Sequence, residues 1–465
     1  MPTTPSAEDP VSTPTPSPTL PRKRLIAHRG RPHPWSYSSR WMRILGPGLI
    51  TGAADDDPSG IGTYAQTGAA FGFGQIWLVL YMLPLMIAVQ EMCGRIGLVT
   101  GQGIAGIVRK RFGRGVLTGA VGLLVIANTI NIGADLGAMA AAMRLLIPAP
   151  YWTLLIIFAL GIIALEIFVP YRLYARVLKL LALSLLAYVL TGIITQPDWG
   201  KLLIATVVPA ITPSPAFLLL VVGVLGTTIS PYLFFWQASE EVEEAELHHW
   251  KTHANDAPRR RVALIGRLRL LRWDTALGML ASEVTTWFII VTTANTLHVA
   301  NPPITNIQSA DQAAQALLPL VHTFPNAGEI ASAIFALGIV GTGLLAIPVL
   351  AGSAAYGVAE ALGWHEGLAK RVNQASGFYA VIALATLVGM LVNVTGINPF
   401  AALVYTAVLN GIIAVPLLIL ILLVANDKRV MGEFTNKPLS NTVGIITTLF
   451  MGIAAIVSIV SLFRH

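Results

Sequence analysis

Residues 44–62 read Ile44-Leu-Gly-Pro-Gly-Leu-Ile-Thr-Gly-Ala-Ala-Asp-Asp-Asp-Pro-Ser-Gly-Ile-Gly62. The stretch has the composition of a membrane helix except at its centre, where Asp55, Asp56 and Asp57 follow one another. An ionised carboxylate at mid-bilayer costs roughly 2.5–3.5 kcal/mol on insertion scales and more in simulations, so three of them facing lipid are untenable. Pro58, Ser59 and Gly60 come next. They interrupt the helical ladder and leave backbone amides and carbonyls without partners. Acids beside an unwound backbone inside a membrane helix point to a cation site in a protein-lined cavity.

Composition supports the membrane setting. Of 465 residues, 55% are hydrophobic and 11% are charged, against about 25% charged in soluble domains. The chain therefore reads as a polytopic membrane protein with one transmembrane domain over 43–465. Cys93 is the single cysteine, which excludes a disulfide framework. The net charge of +7 follows the loops, as membrane topology requires, so nucleic acid is not an expected partner. Residues 1–42 are rich in Pro, Ser and Thr and turn basic at Pro21-Arg-Lys-Arg24. No signal-peptide apolar run follows that cluster, and the segment reads as a disordered basic cytoplasmic tail.

Eleven apolar segments of bilayer-spanning length fall near 44–71, 74–99, 116–145, 151–169, 173–195, 213–238, 273–297, 326–361, 375–394, 398–425 and 440–463. With the N-terminus inside, 26 of the 30 Lys and Arg lie on the cytoplasmic side. A single miscounted span would scramble that asymmetry. The fold class expected is an all-α, multi-pass protein of the cell membrane. A bacterial inner membrane and the lipid bilayer are its expected setting.

A second interruption occurs in the sixth span, where Gly226-Thr-Thr-Ile-Ser-Pro231 forms a polar, helix-breaking centre between apolar flanks. Breaks in the first and the sixth span occupy corresponding places in two halves. That is the sequence sign of a transporter site built on inverted repeats. Repeat one is expected over about 44–195 and repeat two over about 213–425, with an extra helix at about 440–463.

Several motifs resemble the NRAMP family. They are Gly46-Pro-Gly-Leu-Ile50 with Asp57-Pro58-Ser59-Gly60, Gly72-Phe-Gly74, Gln90-Glu-Met-Cys-Gly-Arg-Ile-Gly-Leu-Val-Thr-Gly101, Ala134-Asp135-Leu136, Gly226-Thr-Thr-Ile-Ser-Pro231 and Met431-Gly432. The resemblance covers roughly residues 44–435. It implies the LeuT-type fold, with helices 1 and 6 broken, and divalent metal transport by alternating access. The chain departs from the family where metal chemistry is decided. The family's Asp-Pro-Gly-Asn becomes Asp57-Pro58-Ser59-Gly60, so the Asn ligand is lost. Its Met-Pro-His becomes Ser230-Pro231-Tyr232, which removes a thioether and an imidazole. Asn128 and Ala138 stand where the family has two glutamates around Asp135, and Thr406 takes the place of a glutamine ligand in the tenth span.

A thioether favours soft transition metals, whereas oxygen donors suit Mg²⁺, which dehydrates reluctantly and keeps several waters. The resemblance therefore narrows to the family's magnesium-transporting branch. The metal site is expected at Asp57, the Thr227 carbonyl, Ser230, Gly60 (whose small size makes room for waters) and Asp56. Asp55, Ser59, Tyr232, Asn128, Asn131, Asp135 and Thr406 border the pathway. The transported ion is Mg²⁺ with Mn²⁺ accepted, partly hydrated, and moved without proton coupling because the family's relay residues are missing. No cofactor is implied, nor is any enzymatic chemistry. A proton-coupled manganese or iron importer and an organic-substrate symporter are the alternatives.

Other features stay open at this level. Asp56 is either a cavity-facing acid or a helix cap. Asn128, Asn131 and Asp135 share one helix face and either line the pathway or bond neighbouring helices. Glu91 and Arg95 are spaced to pair. Glu240, Glu241, Glu243, Glu244 and Glu246 read as a solvated helical extension balanced by Arg259-Arg-Arg261. The oligomeric state is open, a monomer being compatible with the sequence.

Overall fold

The computed structural model describes residues 47–169, 183–212, 214–247 and 257–463, and among them every regular element is helical. The basic tail and the first part of the fifth expected span, 173–182, lie outside the described residues. The 44–71 segment is interrupted as its sequence requires. Helix α1 (Pro47–Asp55) stops at the first aspartate and α2 (Pro58–Phe71) restarts at the proline. The chain continues through α3 (Trp77–Thr100), the short α4 (Ile104–Arg111), α5 (Arg114–Met143), α6 (Tyr151–Phe168), α7 (Leu186–Ile194) and α8 (Trp199–Val207). The second interruption separates α9 (Pro215–Thr228) from α10 (Pro231–Leu247). Long helices α11 (Ala257–Thr296), α12 (Ala327–Leu362), α13 (Ser376–Val392), α14 (Pro399–Asn426) and α15 (Pro438–Phe463) complete the fold. Among the described residues, nine helical stretches are long and apolar enough to cross a membrane, α9 and α10 together making one of them.

The helices pack in two groups. Helices α1, α2 and α3 lie against α11, with α10 against α3, while α5 packs against α12, α13 and α14. The groups meet where α10 crosses α12 and where α9 runs along α14. With lipid outside, close approach of backbones replaces the hydrophobic drive, and glycine makes it possible. A Cβ on Gly226 of α9 would fall 2.1 Å from the Ala407 carbonyl oxygen of α14. One on Gly52 of α1 would fall 2.3 Å from that of Gly278 in α11.

Polar pairs lock the end that the charge pattern assigns to the cytoplasm. Glu91 and Arg95 pair at 3.3 Å, as their spacing predicts, and Glu91 also receives Arg272 of α11 at 3.0 Å. The acidic run after the second break is helical but not a solvated face. Glu241 is buried. Glu243 accepts hydrogen bonds from the Leu368 amide at 3.0 Å, the Ala369 amide at 2.6 Å and the Tyr356 hydroxyl. Arg261, expected to balance this run, pairs with Glu433. The run faces α12 because Tyr356 and the chain after α12 offer donors that solvent-facing acids would lack.

Candidate metal site

The two breaks lie side by side in the interior. Asp57 sits between α1 and α2 with extended backbone angles (φ −70°, ψ 168°) and caps α2. Its Oδ1 accepts the Gly60 amide at 2.6 Å and the Ser59 hydroxyl at 2.8 Å, satisfying donors that a helix start leaves orphaned. Pro58 occupies the first helical position, where a missing amide hydrogen costs nothing. Asp-Pro-Ser-Gly is thus a helix-starting sequence, and it fixes the carboxylate at the break.

The second break answers the first. The Tyr232 hydroxyl donates to the Ala54 carbonyl at 3.0 Å, a group that the end of α1 leaves without a helical partner. Tyr64 of α2 meets the Thr228 hydroxyl of α9 at 3.2 Å. Ser230 turns its hydroxyl into its own chain, donating to the carbonyls of Gly226 at 2.6 Å and Thr227. The expected Thr227 carbonyl ligand is therefore already hydrogen-bonded. The threonine's side-chain Oγ1 is instead the buried oxygen with no partner.

Gly60 does a different job from the one expected of it. A Cβ built there would lie 3.1 Å from both the Asp55 carbonyl oxygen and Thr227 Oγ1, and 3.2 Å from the Tyr64 ring. The residue does not open a chamber for water in this arrangement. It lets the two breaks touch, and an asparagine side chain would have to push them apart.

Helix α5 forms the third wall and resolves the open question about its polar face. Asn131 donates its Nδ2 to Asp57 Oδ2 at 3.0 Å. Asn128, one turn earlier, donates to the Leu350 carbonyl of α12 at 2.8 Å and anchors two helices. Asp135 is fully buried, without a close hydrogen-bond partner on either oxygen, and lies within electrostatic reach of Asp57 and the Ser59 amide. Asn131 and Asp135 belong at the break, whereas Asn128 is a packing residue.

Asp55 and Asp56 point the other way, toward α11. The Ser282 hydroxyl lies 2.7 Å from Asp55 Oδ2 and 3.1 Å from Asp56 Oδ1. Glu283 stands beside them, buried and without a hydrogen bond on either oxygen. Asp56 therefore neither caps a helix nor shares Asp57's surroundings. Glu283 stands out in the sequence as an acid inside a membrane span and so a group able to carry protons, whereas Ser282 carries no signal because it lies in the middle of an otherwise ordinary apolar span. Thr406 is buried and donates to the Leu403 carbonyl of its own helix at 2.9 Å. One turn later, Asn410 is the α14 residue whose buried amide atoms are both unpartnered.

Among the described residues, no three His, Cys, Asp or Glu side chains converge at metal-ligand spacing. The donors around Asp57 are instead neutral oxygens: Thr227 Oγ1, Asn131 Oδ1 and the Ser59 hydroxyl, with Asp135 behind them. These are oxygen donors, and oxygen donors are hard. They suit a hard cation that retains part of its water.

Two interrupted helices meeting at a buried carboxylate define a membrane transporter architecture. Residues 48–461 match the family model described as natural resistance-associated macrophage protein-like, Nramp, and the chain belongs to that family. Among curated relatives, the divalent metal cation transporter MntH of Verminephrobacter eiseniae is 25% identical over 422 residues, 89% of this chain and 87% of that protein. The MntH of Aeromonas hydrophila subsp. hydrophila is 26% identical over 431 residues, 89% of this chain and 95% of that protein. Among solved structures, the Eremococcus coleocola manganese transporter, in complex with an aromatic bis-isothiourea substituted compound, superposes with a TM-score of 0.71. It covers 95% of this chain and 91% of its own at 17% identity. Mhp1, a nucleobase-cation-symport-1 family transporter, gives a TM-score of 0.54 at 14% identity, covering 89% of this chain and 91% of its own. These likenesses establish an all-helical, multi-pass fold of the LeuT type.

Proposed function

We propose that this protein is a secondary transporter that carries divalent cations by alternating access, with Mg²⁺ the principal cargo and Mn²⁺ accepted. The reading includes eleven spans in two inverted five-helix repeats, a cytoplasmic N-terminus and, by likeness to the MntH relatives, a bacterial inner membrane. The observation that carries it is the donor set at Asp57, a carboxylate among hydroxyl and amide oxygens, with no cluster of imidazoles or thiols among the described residues. Hard oxygen donors lower the advantage that a thioether gives transition metals and suit an ion that holds its waters. Asp57 anchors the charge, while Thr227, Ser59 and Asn131 offer oxygens to the ion or its waters. Downhill entry needs no proton, since a negative-inside potential supplies about 2.3 kcal/mol per charge for each 100 mV.

A proton-coupled manganese importer is the second reading. It is favoured by the further buried carboxyls at Asp55, Asp56 and Glu283, which supply titratable groups inside the membrane. One experiment separates the two. Purified protein in liposomes is given Mg²⁺ or Mn²⁺ while a trapped dye follows internal pH. Mg²⁺ uptake without acidification, abolished in Asp57→Ala, is expected. Acidification in step with Mn²⁺ uptake and no Mg²⁺ uptake would establish the importer. Ser230→Met, which restores a thioether, should move preference toward Mn²⁺ and Cd²⁺ relative to Mg²⁺, and an unchanged ratio would remove sulfur chemistry from the account.

A further inference from the structure

We infer that Asn131 and Asp135 on α5 recognise the water molecules carried by the ion rather than the ion itself, and so set the preference for a hydrated cargo. The inference rests on the reading of Asp57 as the carboxylate that holds the cation.

The argument begins with what Asn131 does with its two amide atoms. Its Nδ2 is committed to Asp57 Oδ2 at 3.0 Å. Its Oδ1 is fully buried and accepts no hydrogen bond. A planar amide keeps these two atoms close together, so the free acceptor must lie beside the carboxylate it steadies. An unsatisfied buried acceptor costs about 1–3 kcal/mol, a cost that a donor arriving with the cargo relieves. A bare cation satisfies this oxygen only by coming directly against it, whereas a metal-bound water brings two donors that reach it one shell further from the ion held by Asp57.

Asp135 repeats the pattern one turn further along the same helix. Both of its oxygens are buried without a close hydrogen-bond partner, within electrostatic reach of Asp57 and the Ser59 amide. Thr227 Oγ1 is a further unpartnered oxygen, contributed by the second break. Acceptors therefore gather around Asp57 from α5 and α9. Among the described residues, no three carboxylates or imidazoles converge there, so a shell made wholly of acids is not offered. A surround of acceptors around one anchoring carboxylate is what an aqua-ion requires, since its outer surface consists of O–H donors.

Helix α5 is also fixed in a way that makes it a dependable reference. Asn128 binds α12, the Asn393 amide after α13 donates to the Gly133 carbonyl at 2.8 Å, and Gly133 packs closely against Gly389 of α13. The acceptors of Asn131 and Asp135 are thus held at set positions, while the break at Asp57 belongs to an interrupted helix. Asn131 is a positioning residue in this scheme: it orients Asp57 and offers its other atom to the ion's water.

The test compares ions that differ in how firmly they hold water. Asn131→Leu preserves volume and removes both amide atoms. In liposome uptake it should raise the KM for Mg²⁺ about tenfold, the scale on which residues beyond the direct ligands act on metal affinity. The KM for Cd²⁺, which sheds water readily, should change by less than about threefold on that scale. Should Asn131→Leu fail to fold, Asp135→Asn carries the same expectation, since it keeps shape and exchanges one acceptor for a donor. Equal losses for Mg²⁺ and Cd²⁺, or no change in either, would overturn the inference. Asp57→Ala is measured alongside. Unchanged uptake in that variant removes the site reading itself, whereas abolished uptake with a normal Asn131→Leu removes only the role given to α5.

Discussion

The two broken helices invite comparison, because they meet at one point yet are built differently. At the first break, charge dominates: three aspartates, one caught by the helix start that follows it and two turned toward α11. At the second, nothing is charged, and Ser230 closes on its own carbonyls. The halves running toward the cytoplasmic end also differ. Helix α1 is joined to α11 mainly by close backbone approach, Gly52 packing on Gly278, besides one bond from the Gly48 amide to Asp274 Oδ2 at 2.7 Å. Helix α10 is joined to α12 through side chains: Ser353 to the Tyr232 carbonyl at 2.8 Å, Ser239 to Glu360 at 3.0 Å, and Tyr356 to Glu243. Backbone contact admits no water without separating the helices, whereas a side-chain hydrogen bond exchanges for water at little net cost. The difference teaches that the first break gathers the charge and is packed tightly on α11, while the second is held to α12 by side-chain hydrogen bonds.

The largest expected effect tests the division of charge. Asp57→Asn should lower Mg²⁺ uptake by more than about 100-fold, beyond the 10- to 100-fold range seen when residues behind a ligand are changed. Ser230→Ala should cost less than about tenfold on the same scale. Similar losses in radiotracer uptake would erase the contrast between the breaks.

A smaller effect concerns the fastening of α10. Glu243→Gln keeps shape but leaves one oxygen to serve three donors. A typical intramolecular hydrogen bond contributes about 0.5–1.5 kcal/mol, so opening at this end should become about two- to tenfold more frequent. The readout is the rate at which a hydrophilic thiol reagent labels Ser353→Cys with Cys93 replaced by serine. A rate equal to that of the parent would show that Glu243 fastens nothing.

The smallest effect lies outside the membrane segments. Arg111 hydrogen-bonds Asp427, and with help from the Arg429 amide this holds the Asp427 carboxyl below its ordinary range. Because the folded value is depressed, the pair stabilises above the unfolded value of about 3.9 and ceases to do so as pH falls through the folded one. Arg111→Gln should therefore lower Tm slightly at neutral pH, with the difference vanishing well below about pH 3.9. A difference that persists in acid would mean Arg111 acts through packing instead.

Much of the first break was legible in the sequence. Asp-Pro-Ser-Gly specifies a helix start whatever surrounds it, because Asp57, Pro58 and Gly60 act within one turn. The second break was legible for the same reason, since Ser230 and Pro231 end one helix and begin another locally. The relation of Asn131 to Asn128 was not. Both lie on one face of α5, and only the neighbours present at each height decide that one meets Asp57 and the other Leu350.

By itself, then, the sequence determined the membrane class, the two breaks and the carboxylate that anchors them, because these follow from composition and from interactions within a few residues. The tertiary structure decided which oxygens surround Asp57, that Asp55 and Asp56 face Ser282 and Glu283, that Gly60 brings the breaks together instead of parting them, and that the half-buried Glu243 is hydrogen-bonded in a fastening. Each of these joins residues far apart in the chain, and their direction is set by packing between helices that no local pattern encodes.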